Sequence, residues 1–126
     1  MKHGDLWPHA RLLAVLPLCA CTALSQGEAP IDVHGREIPP YEAHEECMRL
    51  QLGDRVEFVF ESTAPVDFNF HYHEGNAVVM PLSREKVRED AGVFAVPFAQ
   101  DYCLMWEAGA AGTVIDYRVR VKRAGG

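Results

Sequence analysis

From Val66 to His73 apolar and polar residues alternate without a break, with Val66, Phe68, Phe70 and Tyr72 on one parity and Asp67, Asn69, His71 and His73 on the other. Successive side chains of an extended strand point to opposite faces, so this period of two predicts a strand with one face on a core and one toward water. The same alternation sets Met48, Leu50 and Leu52 against Cys47, Arg49 and Gln51. It recurs where Val56, Phe58 and Phe60 alternate with Arg55, Glu57, Val59 and Glu61. Strand character returns over residues 77–82, 92–98, 101–107 and 113–121. Gly53-Asp54, Thr63-Ala64-Pro65, Glu74-Gly75-Asn76 and the Ala/Gly run at 108–112 punctuate the pattern as turns. Residues 83–90 (SREKVRED) hold only Val87 as an apolar residue and read as a turn of helix or a solvated loop.

Short half-apolar strands without intervening helices build an antiparallel sheet, and the expected fold is an all-β sandwich of about seven to eight short strands. Phe58, Phe60, Phe68, Phe70, Tyr72, Phe94, Leu104, Trp106 and Tyr117 are its expected core. With 126 residues the chain has room for one such domain. Its 12 Lys and Arg against 18 Asp and Glu give a net charge of -6 and form no sustained basic run. That balance argues against a nucleic-acid partner.

Ahead of the strands, Lys2 and Arg11 flank the apolar run Leu12–Leu24, which Pro17 interrupts and small residues follow. This is the pattern of a secretory signal, and it is too short for a bilayer span of about 20 residues. Two cleavage routes stay open. Small residues at Ala23 and Ser25 fit a general signal peptidase, with the mature chain starting at Gln26. Leu18-Cys19-Ala20-Cys21 resembles a lipobox, in which Cys21 becomes the lipidated first residue. Two cysteines within a discarded segment favour the second route. The expected organisation is a signal over 1–25, a Pro-rich extended linker or loosely attached edge segment over 26–40, and a domain over 41–123. The product is then an exported protein, periplasmic or extracellular, touching the membrane only through a lipid anchor.

Export leaves Cys47 and Cys103 in an oxidising compartment, which favours their pairing over free thiols or metal ligation. Both alternate against core positions, so the expected bridge links neighbouring strands on an outer face, unlike the bridge through an immunoglobulin core. The order Cys47, Leu52-Gly53-Asp54, Val66-Asp67-Phe68, Gly92-Val93-Phe94 and Tyr102-Cys103 resembles the Golgi-dynamics (GOLD) domain, from about Cys47 to Val121. In the family pattern the second Cys lies three residues after the Tyr, whereas Cys103 directly follows Tyr102 here. The resemblance implies a small β-sandwich and a binding role toward a protein or envelope component, not the trafficking function of the family's membrane-anchored members.

Chemistry-bearing residues are few. His71 and His73 share one strand face, and imidazoles at this spacing suit copper or zinc, with Glu74 or His44 as further ligands and Met105 on the outward face of the strand over 101–107. A blue-copper site is excluded, because no His follows Cys103. The chain lacks Gly-x-Ser-x-Gly, a phosphate-binding Gly loop and His-Glu-x-x-His. His44 near Cys47 hints at a thiol nucleophile, but no orienting third group accompanies it. The expectation is therefore a binding module and not an enzyme, with copper or zinc binding through His71 and His73 as the alternative. Tyr41, Trp106, Glu42, Glu45 and Glu46 are the further candidates for a partner surface.

Overall fold

The computed structural model describes residues 27–125, where the chain is all-β with six strands. They are β1 (Ile31–Ile38), β2 (Ala43–Leu50), β3 (Arg55–Glu74), β4 (Ala77–Ala95), β5 (Gln100–Ala108) and β6 (Thr113–Lys122). Every pairing is antiparallel, in the order β1-β6-β3-β5-β2 with β4 beside β3, which makes one curled sheet. Among the described residues no helix is long and apolar enough to cross a membrane. The signal segment and Cys21 lie outside the described residues.

Two long strands reduce the count from the seven to eight short ones expected. β3 runs 20 residues straight through Thr63-Ala64-Pro65, which was expected to be a break. The ladder is irregular there, with its register shifting between Glu61 and Val66, and side chains supply the partners. Thr113 Oγ1 accepts from the Ala64 amide, Thr63 Oγ1 accepts from the Val114 amide, and Arg88 donates to the Thr63 carbonyl. Pro65 has no amide to leave unpaired, so an irregular stretch of ladder tolerates it. β4 absorbs the charged run at 83–90 as strand because it pairs only with β3. Charged side chains along such an edge discourage further strand pairing.

The curl follows from the length of β3. One of its edges pairs β4, while the other pairs β6 over residues 55–62 and β5 over 66–72. Its two halves thereby carry different neighbours, and their apolar faces meet. Phe68 of the second half lies 5.1 Å from Phe58 and 4.8 Å from Phe60 of the first, ring centre to ring centre. Trp106 of β5 stacks on Tyr117 of β6 at 4.5 Å. Phe58, Phe60, Phe68, Phe70, Leu104, Trp106 and Tyr117 are buried, with Tyr72 and Phe94 half-buried against them.

The linker expected over 26–40 is strand in its second half. Residues 31–38 pair with β6, and Ile31, Val33 and Ile38 provide the apolar contacts that hold this edge on the core. Gly53-Asp54 does form the expected turn, with Gly53 at φ 86°. Buried Asp54 accepts there from the Gln51 amide, the Ala124 amide and the Arg123 guanidinium, which fastens the end of β6 to the turn.

Candidate functional site

Cys47 of β2 lies directly opposite Cys103 of β5, which in turn lies opposite His71 of β3. The three form one row across adjacent strands on the face away from Leu104 and Trp106. Cys47 and Cys103 are bonded, with an S–S distance of 2.02 Å and Cα atoms 4.0 Å apart. Cys47 is exposed on the outermost strand of its half, whereas Cys103 is 8% exposed.

His71 is 2% exposed although it belongs to the polar parity of its strand. Its Nδ1–H donates to Asn69 Oδ1 at 2.8 Å, and Asn69 is buried as well. The other ring nitrogen, Nε2, stands 3.9 Å from Glu45 Oε1. Burial disfavours the imidazolium and lowers the pKa of His71, against the opposing pull of Glu45. The ring of His73 meets that of His71 edge-on at 5.3 Å and is more exposed.

The remaining expected ligands do not join this row. His44 occupies the core-facing parity of β2, where its Nε2 lies 2.8 Å from the Tyr117 hydroxyl and its ring stacks on Trp106. Tyr117 donates to Glu46 Oε1 at 2.6 Å, and burial followed by this bond pushes its pKa far up. Glu74 has the opposite parity to His73 and ends β3. Met105 does share the face, between Asn69 and Glu45 in register. The expected partner surface also divides. Trp106 is fully buried, Glu46 points inward to Tyr117, and Tyr41 stands in a turn at 76% exposure.

A second feature lies across the other half of the sheet, an open cavity of about 640 Å³ between β1, β6, β3 and β4. Glu89, Glu61 and Asp116 stand in direct register across β4, β3 and β6 and therefore share its face. Asp90 and Asp32 add a fourth and a fifth carboxylate, but Asp90 is paired with Arg84 and Asp32 is taken by Arg118, whose guanidinium holds its pKa below the usual range. His34 lies between them, 3.2 Å from Asp32 and 3.8 Å from Asp116. Like charges directly opposite one another in a sheet destabilise it. The periodicity of each strand hides this row, because its members come from strands distant in sequence and only the register unites them. A scan of the chain against models of protein families finds no match, and a search of curated proteins finds no relative.

Proposed function

We propose that this is an exported, non-catalytic binding domain of the GOLD-like sandwich type, whose acidic cavity takes a basic segment of a protein partner. The row Glu89–Glu61–Asp116 carries this reading. Three carboxylates aligned on one face cost stability that a cationic ligand would return, and an open cavity gives such a ligand access. The architecture is read as a sandwich whose two layers share β3 and β4, supported by the packing of Phe68 on Phe58 and Phe60. The Cys47–Cys103 bridge supports a compartment outside the cytosol, and the signal segment supports export, with lipidation at Cys21 as the anchor.

Fluorescence anisotropy with a labelled oligolysine peptide tests the reading. Binding should weaken steeply with salt and be lost in the Glu61→Lys/Asp116→Lys variant. Equal binding by that variant would remove the cavity from the account. A second reading, zinc or copper binding through His71 and His73, draws on their rings lying 5.3 Å apart, with Glu45 Oε1 3.9 Å from His71 Nε2. Metal titration of wild type against His71→Ala/His73→Ala checks it, and equal uptake would dismiss it.

A further inference from the structure

We propose that reducing the Cys47–Cys103 bridge opens a zinc-class cation site built from Cys47, Cys103, His71 and Glu45. This goes beyond metal binding by the two histidines, because the thiolates carry it and His73 is not needed.

The placement comes from the register. Cys47, Cys103 and His71 stand side by side on β2, β5 and β3, and Glu45 is two residues before Cys47 on the same face. The ligating atoms of Glu45, His71 and Cys103 fall within 4.8 Å of one another, and Cys47 Sγ is 4.0 Å from Glu45 Oε2. Zinc bonds of roughly 2.0–2.3 Å put the ligand atoms of a tetrahedral site about 3.5 Å apart. Glu45, His71 and Cys103 therefore need a contraction of about an ångström, while Cys47, which lies outside that 4.8 Å group, must turn in once the bridge is open.

Orientation is an independent observation. Asn69 accepts the Nδ1 proton of His71, which leaves Nε2 as the lone-pair nitrogen, and Nε2 is the one turned toward Glu45. No hydrogen bond to Nε2 is found among the described residues, and the Glu45 carboxylate stands 3.9 Å from it. A buried polar partner that fixes the tautomer of a histidine in this way commonly orients a metal-bound imidazole. Two thiolates, an imidazole and a carboxylate match the donor types of a closed four-coordinate zinc centre.

In the bridged protein the two sulfurs are spent on each other, and the site is shut. Opening it takes a dithiol reductant. Its thiolate attacks the exposed Cys47 Sγ, the S–S bond breaks, and Cys103 leaves as thiolate. The second thiol of the reductant then displaces Cys47, so two electrons pass to the protein and the reductant ends as a disulfide. Binding of the cation keeps both cysteines as thiolates and releases their protons to solvent. A metal seated there ties β2 and β5, as the bridge does, and adds β3.

Cobalt(II), which reports thiolate ligation by its charge-transfer absorption, tests this on the full domain. The protein is reduced with a dithiol, freed of it by anaerobic gel filtration, and compared with the oxidised form. Reduced wild type should take one cobalt with thiolate charge transfer, displaced by zinc, while the oxidised protein shows no such band. Asn69→Ala should weaken binding by about tenfold, and His71→Ala, with both thiols intact, by more. Should the reduced chain lose structure, zinc should restore the circular dichroism of wild type and not that of His71→Ala. Undiminished binding by His71→Ala would reduce the site to two thiols in a flexible chain and overturn the proposal. So would a reduced protein that takes no cobalt. Uptake by the oxidised form equal to that of the reduced form would overturn it too, while favouring the plain histidine reading.

Discussion

Asp54 accepts three hydrogen bonds at a position 2% exposed, from the amides of Gln51 and Ala124 and from Arg123. Burial alone would raise its pKa, but these donors outweigh burial and hold it below the ordinary 3.8. The folded state thus prefers the ionised carboxylate. Its contribution is fully present above the unfolded-state pKa and is lost as pH falls through the lower folded value. Asp54→Ala should cost about 2–3 kcal/mol near neutral pH, because two backbone amides and the Arg123 guanidinium lose a buried acceptor. Urea denaturation should show that deficit shrinking as pH falls below about 4. A deficit of the same size at both ends would rule out the charge as its source. A turn at Gly53-Asp54 was legible from those two residues. The partner Arg123, almost 70 positions away, was not, because nothing local in the sequence marks which distant cation a turn carboxylate will meet. His44 illustrates the same limit, since alternation gives its face and that of Glu46, while Tyr117 arrives from β6.

At the level of elements, alternation identified where strands run but overstated their ends. Turn residues such as Thr63-Ala64-Pro65 break a strand only when their backbone groups find no partner, and here Thr113 and Arg88 supply partners from other elements. Of the two readings of residues 26–40, an attached edge segment and not a linker describes residues 31–38. The segment lacks periodicity of its own and becomes strand only because β6 offers an open edge. The tight connection of β5 to β6 gives a clean contrast between two glycines. Gly112 sits at φ 63°, and a Cβ there would approach the Ile38 carbonyl oxygen at 3.0 Å. Gly109 faces open space with no such φ. Gly112→Ala should lower stability by about 1–3 kcal/mol, through left-handed backbone strain and this close approach. Gly109→Ala should change it by less than about 0.5 kcal/mol. Thermal melts of the pair check the contrast, and equal losses would refute the strain argument.

For the molecule as a whole, two devices hold the curled sheet together. Phe68 joins the halves of β3 by packing on Phe58, Phe60 and Trp106. Phe68→Ala should cost about 3–5 kcal/mol, measured by chemical denaturation. A loss below about 1 kcal/mol would mean the halves do not depend on this contact. The bridge closes a separation of 56 residues, and the Cys47→Ala/Cys103→Ala variant should lose about 4 kcal/mol in the chain-entropy account. An unchanged melting midpoint in oxidising buffer would show that the bridge is not structural. The all-β antiparallel class was legible in the sequence from alternation alone. The acidic cavity was not, because Glu61, Glu89 and Asp116 become neighbours only through the register of three strands. Intact mass spectrometry of the protein from its native source checks whether it is an exported domain closed by Cys47–Cys103. An exported, bridged chain should lack at least residues 1–20 and become heavier by two hydrogens on reduction. A chain that retains Met1 and shows no mass change on reduction would contradict it.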